Sequence, residues 1–259
     1  MTQRDFVDDH QGLDAPAPAS LPRDPEATES LYSVIRRRRD VRGQFTGEPV
    51  DPEILTRVLG AAHAAPSVGL TQPWDFLVVT SDTTRRAFAH HVGEERRAFA
   101  EDLDERSTGR FAGIKIDGVL ESSLSIVVTY DASRGAPHVI GRRTIADAGL
   151  YSVCLAIENL WLACTAEGWG LGWVSFYREP FVAELLGIPS AIRPVAWLCA
   201  GPVTFLHGTP DLERAGWRER VALADVVRHD QWAVPADFVG RRDAPVLGGA
   251  VSSDVTHRR

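Results

Sequence analysis

Arg36-Arg37-Arg38-Arg39-Asp40-Val41-Arg42 sets five guanidinium groups and one carboxylate within seven residues. Guanidinium groups are planar, permanently charged forks suited to phosphate or to the electron-rich edge of a ring. A carboxylate beside them adds a group that can give or take a proton. The combination describes a site for an anionic cofactor with acid/base chemistry next to it, and Asp40 is the acid/base candidate. Taken alone, the run also fits a solvated helix end whose cations complement the helix dipole, with Tyr32, Ile35 and Arg39 on one face.

Three further segments carry groups of the same kind. The loop Ala65-Pro66-Ser67-Val68-Gly69-Leu70-Thr71-Gln72-Pro73-Trp74 offers backbone N–H groups, the Ser67 hydroxyl and the Gln72 amide to the edge of a polar heterocycle. An ordinary helix-to-strand turn accounts for it equally. Trp173-Val174-Ser175-Phe176 closes an expected strand, where Ser175 can present an N–H and a hydroxyl to a ligand beyond the strand end. The plainer role for that serine is a helix N-cap. Arg218 and Arg220 alternate along an extended stretch, so both point one way and can grip a phosphate, or else line a solvated strand edge.

Other chemistries find no support. Gly168-Trp-Gly-Leu-Gly172 has the glycines of a dinucleotide fingerprint but leads into a strand, without the helix N-terminus that binds phosphate. The sequence contains no GxxxxGK[ST], HExxH or GxSxG. The eight histidines lack ligand spacing, so no metal site is expected.

The elements that must position these groups alternate helix and strand. Helices are expected over 29–39, 52–64 (Asp51 as N-cap, Pro52 in the first turn), 82–107, 110–122, 144–167 and 179–187. Strands are expected over 74–80, 124–130, 171–175 and 194–200, and Leu124–Tyr130 is apolar enough to be covered on both faces. Helix 144–167 is apolar nearly all round, which places it centrally or at a subunit interface. The pattern reads as an α+β fold of three α/β/α layers around one sheet. One domain spans about 28–235, between flexible tails at 1–27 and 236–259.

Bulk composition narrows the class. A net charge of −7 argues against a general nucleic-acid binder. Of 28 basic residues only Lys115 is lysine, a bias that weakens arguments from arginine abundance alone. Cys154, Cys164 and Cys199 sit in apolar stretches without CxxC spacing and read as buried, reduced thiols. The acidic N-terminus does not resemble a signal peptide, and no apolar stretch reaches the roughly 20 residues a membrane span needs. A cytoplasmic, soluble protein without membrane contact is the expectation.

Taken together, residues 29–232 resemble the FMN-dependent nitroreductase superfamily. The resemblance rests on Arg38-Arg39-Asp40-Val41-Arg42, the loop Ala65–Trp74, the Gly-rich strand Gly168–Ser175 after a long apolar helix, and the late Arg218-Glu219-Arg220. Asp40 replaces the serine usual in that superfamily. With Gly172-Trp173-Val174-Ser175, Gly141-Arg-Arg-Thr144, Ala156–Ala163 and Pro194–Gly201, it resembles a branch that fragments reduced FMN with molecular oxygen. The products there are 5,6-dimethylbenzimidazole and erythrose 4-phosphate.

The resemblance implies a nitroreductase-like mixed sheet flanked by helices, in a homodimer with FMN at the subunit interface. It implies that Arg37, Arg38, Arg39, Asp40, Val41 and Arg42, with Arg218 and Arg220, hold the FMN phosphate and pyrimidine edge. Ser67 and Gln72 would contact ribityl or ring polar atoms, and the Val174–Ser175 backbone would sit near flavin N5. Asp40 and Ser175 would be the catalytic pair, residues 90–118 a lid, and a separate reductase the source of reduced FMN. Two alternatives share these features at this stage: an NAD(P)H-dependent FMN nitroreductase or oxidoreductase, and a flavin-binding protein without turnover.

Overall fold

The computed structural model describes residues 22–236, so most of both expected tails lies outside the described residues. Helix α1 runs Pro25–Arg37, earlier than the expected 29–39. Asp24 accepts the N–H groups of Glu26 and Ala27 at 3.0 and 3.1 Å, and Pro25 fills the first helical position, where its missing N–H costs nothing. The helix stops because Arg38 turns extended (φ −53°, ψ 128°), which takes Arg39 off the face shared by Tyr32 and Ile35. The chain then lies along the sheet, and the Val41 N–H donates to Leu171 O at 3.0 Å.

Helix α2 is Pro52–His63, capped by Asp51, which accepts the Glu53 N–H at 2.8 Å. Strand β1 (Trp74–Val79) and helix α3 (Asp82–Glu101) follow. The single helix expected over 82–107 divides, because Asp104 accepts the Ser107 N–H at 2.8 Å and caps a new helix, α4 (Glu105–Ala112). The helix expected over 110–122 does not form. Past Gly113 the chain instead packs Ile114, Ile116 and Val119 into the core and crosses the Arg42–Phe45 segment at Gly118. A Cβ on Gly118 would lie 2.4 Å from Arg42 O.

The remaining elements are β2 (Leu124–Asp131), α5 (Ala148–Ala166), β3 (Trp169–Val174), α6 (Glu179–Leu186) and β4 (Ile192–Pro202), then single turns α7 (Asp211–Arg214) and α8 (Leu223–Val226). The strands pair antiparallel in the order β1-β2-β4-β3. The parallel component is a bridge between Asp40 and Leu171 on the outer edge of β3. Blunting that edge with the 40–42 segment removes an otherwise open ladder.

Three layers result. Ile126, Val128, Leu171 and Leu198 face α2 and α5 on one side of the sheet. Val127, Trp197, Cys199 and Val174 face α3, α4 and α6 on the other, where Phe88 stacks on Trp197 with ring centroids 3.6 Å apart. Strand β2 is buried on both faces, as its apolar run requires. Helix α5 has the length and composition of a membrane span, but Val153, Ile157, Leu160 and Cys164 are packed into the core. Its outward face leaves Tyr151, Cys154 and Leu155 exposed, so Cys154 is not the buried thiol expected.

Gly172 marks the tightest approach, since a Cβ there would sit 2.0 Å from Val41 O. Gly172→Ala should therefore destabilise the fold by about 2 kcal/mol or more through overpacking. Gly93→Ala, in α3 with open space around it, should stabilise by about 0.5–1 kcal/mol. Urea unfolding of both variants checks the pair, and equal behaviour would contradict the packing argument.

Candidate active site

The site begins at the edge of β3. Asp40 Oδ1 accepts the Trp173 N–H at 3.0 Å, and both Arg42 terminal nitrogens donate to the Asp40 carboxylate. Arg42 Nη2 also reaches Trp173 O at 3.2 Å. Trp173 thus gives its N–H to the acid and its carbonyl to the base, pinning the pair two residues before Ser175. A carboxylate has about four acceptor positions and three are used here, which leaves one on Oδ2. The Asp40 side chain keeps 44% of its surface exposed, so that position is reachable.

Desolvation pulls the Arg42 pKa down, but the charge and hydrogen bonds of Asp40 outweigh it, and the pKa lies above the ordinary arginine value. Asp117 adds to the upward shift from the crossing segment. Beneath the pair, Cys199 lies opposite Gly172 on β4. Burial pushes its thiol up to about 12 despite the Gly118 N–H and the Arg42 charge.

A second basic group converges on the first. Burial, then the positive charges of Arg220 and Arg38, push the Arg39 guanidinium below its usual value, with Glu213 opposing. Arg39 Nη1 donates to Arg36 O and Arg38 O at 2.7 and 2.6 Å, and Nη2 to Gly208 O, so the C-terminal stretch is tied to the arginine run. Arg39 Nε is buried with no hydrogen-bond partner. A donor in that state among mutually repelling cations fits a phosphate group. Arg218 and Arg220 are both exposed, and it is Arg220 whose charge is felt at Arg39.

Trp161 on α5 organises the same region and was not singled out from the sequence, where it reads as one more apolar helix position. Its Nε1–H donates to Arg39 O at 3.0 Å, and the Arg38 guanidinium lies 5.0 Å from its ring centroid. Arg37, by contrast, lines a groove with Glu29, Ser33, Val34 and Ala166 rather than the Asp40 cluster. The expected lid segment, 90–118, comprises the end of α3, α4 and the crossing segment. Its Phe99 and Phe111 pack on Phe176, the residue after Ser175, at 5.4 and 6.1 Å.

Ser67 and Gln72 are elsewhere. Ser67 Oγ accepts the Gln72 N–H at 2.9 Å across a turn in which Gly69, Leu70 and Gln72 all have positive φ (55°, 53° and 45°). Strained backbone of this kind persists where surrounding structure holds it, often at ligand sites. Here Arg134, another residue without a local sequence signal, donates from Nη1 to Gln72 O and Trp74 O at 3.0 and 2.7 Å. The strand register places this turn across the whole sheet from Asp40, roughly 25 Å away by strand spacing and rise. Within one chain, therefore, the Ser67–Gln72 turn and the Asp40 cluster do not form one pocket.

Comparison with known proteins agrees with this architecture. Residues 35–202 match the model of the Nitroreductase family, and the chain belongs to that family, a class of oxidoreductases. Among its relatives, the 5,6-dimethylbenzimidazole synthase of Rhodospirillum rubrum is 37% identical over 198 residues, covering 76% of this chain and 93% of the relative. The protein of that name from Rhodobacter capsulatus is 34% identical over 193 residues, covering 74% and 93%. Iodotyrosine deiodinase bound to FMN and 3-iodo-L-tyrosine shares the fold at a TM-score of 0.61 and 23% identity, covering 78% of this chain and all of that one.

The raised thiol pKa values have a direct consequence. With burial holding Cys199 and Cys164 near 12, their thiolate fraction at pH 8 is on the order of 10⁻⁴. Iodoacetamide at pH 8 should alkylate both at least about 100-fold more slowly in the folded protein than in urea. Peptide mass spectrometry reads the rates, and fast native labelling of Cys199 would contradict its placement under Arg42.

Proposed function

We propose that the protein is a 5,6-dimethylbenzimidazole synthase, consuming reduced FMN and molecular oxygen and releasing 5,6-dimethylbenzimidazole and erythrose 4-phosphate. The observation that carries this reading is the carboxylate of Asp40, clamped on the β3 edge two residues from Ser175. The match to synthases over 93% of their length supports it. Bound reduced FMN supplies both the electrons that activate oxygen and the carbon framework that is cut.

The chain's own residues do the rest. Arg39, with Arg38, Arg218 and Arg220, binds the phosphate and anchors the ribityl end. Arg42 and the Trp173 N–H hold Asp40 in one orientation, so its free Oδ2 lone pair can accept and return protons during ring fragmentation. The Val174–Ser175 backbone lines the reacting edge, and the Ser175 hydroxyl is the second proton-handling group. A positioned acid or base of this kind typically contributes about 10²–10⁴-fold. Phe99 and Phe111, packed on Phe176, supply apolar surface next to that edge.

The site is completed by a second copy of the chain. In this reading the Ser67–Gln72 turn of one subunit meets the Asp40 cluster of the other, which resolves their separation within one chain. The exposed apolar face of α5 supports it, since Tyr151 and Leu155 stand 55% and 48% exposed on an otherwise core helix. Reduced FMN comes from a separate reductase, so the protein itself oxidises little NAD(P)H.

Asp40→Asn should retain FMN binding within about threefold and lose benzimidazole formation by at least about 10²-fold, with a smaller loss for Ser175→Gly. Mass spectrometry of the products from reduced FMN and oxygen is the measurement, and wild-type yield from Asp40→Asn would remove the assigned role. Leu155→Arg should give a monomer by light scattering with FMN affinity lowered about tenfold or more, because a buried charge disfavours the interface. A monomer that binds FMN normally would show that each site is built from one chain.

A further inference from the structure

Helix α3 follows the segment after Ser175 residue by residue. Its positions 88, 91, 95 and 99 share one helical face. Phe88 packs on Tyr177 at 5.7 Å between ring centroids, and Phe99 on Phe176 at 5.4 Å. Between them, Glu95 accepts from Arg178 Nε at 2.6 Å, and His91 Nε2 accepts the Arg178 backbone N–H at 3.1 Å. His91 is only 7% exposed and its ring stacks on Phe181 of α6 with centroids 3.9 Å apart.

The donor direction fixes the imidazole. A backbone N–H can only donate, so Nε2 must offer its lone pair, and the ring proton of the neutral form sits on Nδ1. Nδ1 lies 3.7 Å from Glu94 Oε2. The same α3 turn thus holds Arg178 twice, by its backbone through His91 and by its guanidinium through Glu95. Arg178 is also the residue preceding α6, where no side chain caps the helix.

We propose that His91 is a positioning residue, and that its bond to the Arg178 N–H fixes the path of residues 175–178 as the chain leaves β3. The inference rests on the reading above, in which the Val174–Ser175 backbone lines the reacting edge. Three anchors hold that exit. Phe176 packs against both Phe99 and Phe111, the Tyr177 hydroxyl donates to Val195 O at 3.1 Å, and Arg178 is held by His91. Of these, the His91 bond constrains the main chain itself. Losing it would leave a part-buried N–H unsatisfied and let the backbone at Ser175 shift relative to Asp40.

Two substitutions separate positioning from packing. His91→Phe keeps a flat ring over Phe181 and removes the acceptor, whereas His91→Gln discards the ring and keeps an acceptor oxygen near the place of Nε2. Deuterium exchange of the peptide covering 176–181 should be roughly tenfold faster in His91→Phe, and close to wild type in His91→Gln. With reduced FMN and oxygen, kcat for benzimidazole should fall about tenfold in His91→Phe with KM within twofold, and His91→Gln should recover most of it.

Unchanged exchange in His91→Phe would overturn the proposal, as would a Gln variant that behaves like the Phe variant. Faster exchange with kcat untouched would also overturn it, since the bond would then have no bearing on the reaction. Exchange is measured without FMN. If the wild-type protein forms no benzimidazole, the functional reading fails, while exchange still decides whether the bond holds the segment.

Discussion

The docking of Asp40–Arg42 against the outer edge of β3 is the contact on which the rest of the site depends. Three features have to coincide for it to form. The arginine run must leave its helix at Arg38, the strand must carry a glycine at 172, and Trp173 must turn both backbone polar groups toward the incoming pair. The Asp40 carboxylate is partly open to solvent while the Arg42 side chain is largely buried, so desolvation offsets much of the attraction between them. The importance of the pair is geometric. Two backbone hydrogen bonds and a two-pronged guanidinium contact hold the carboxylate against Trp173, two residues before Ser175.

Charge is distributed around this contact with a clear division of labour. Arg42 is compensated by Asp40 and Asp117. Arg39 is not, since Arg38 and Arg220 crowd it and Glu213 alone opposes them. A carboxylate next to a neutralised cation, a short distance along the chain from an excess of positive charge, is the arrangement on which the proposed flavin site rests. The aromatic residues Phe99, Phe111, Phe176 and Trp217 cluster next to the Ser175 end of β3.

In the reading proposed above, what calls for a second copy of the chain is the position of the Ser67–Gln72 turn. Its left-handed residues are held by Arg134 and by the loop over 135–141, which packs so closely on Gly69 that a Cβ there would meet Val139 at 2.9 Å. This firmly held turn lies at the opposite border of the sheet from Asp40. The exposed apolar residues of α1 and α5 lie on the kind of surface that a second subunit would cover.

Features governed by neighbours in sequence were legible from the chain alone. Asp51 before Pro52 marked the start of α2, the unbroken apolar run of β2 marked a strand covered on both sides, and the all-round apolar character of α5 marked its central place. The four chemistry-bearing segments were also recognisable, because residue type and short spacing carry that information. Tertiary structure decided what depends on partners far along the chain. It ended α1 at Arg37 by drawing Val41 onto Leu171, and it divided the expected helix over 82–107 at the Asp104 cap. It left Cys154 exposed, brought Arg220 to Arg39, and separated Gln72 from Asp40 by the width of a sheet. His91 and Trp161 owe their roles to bonds with Arg178 and Arg39, 87 and 122 residues away, which no local pattern encodes. Local hydrogen bonding and apolar periodicity set the elements, but only the register of the assembled sheet determines which side chains share a site.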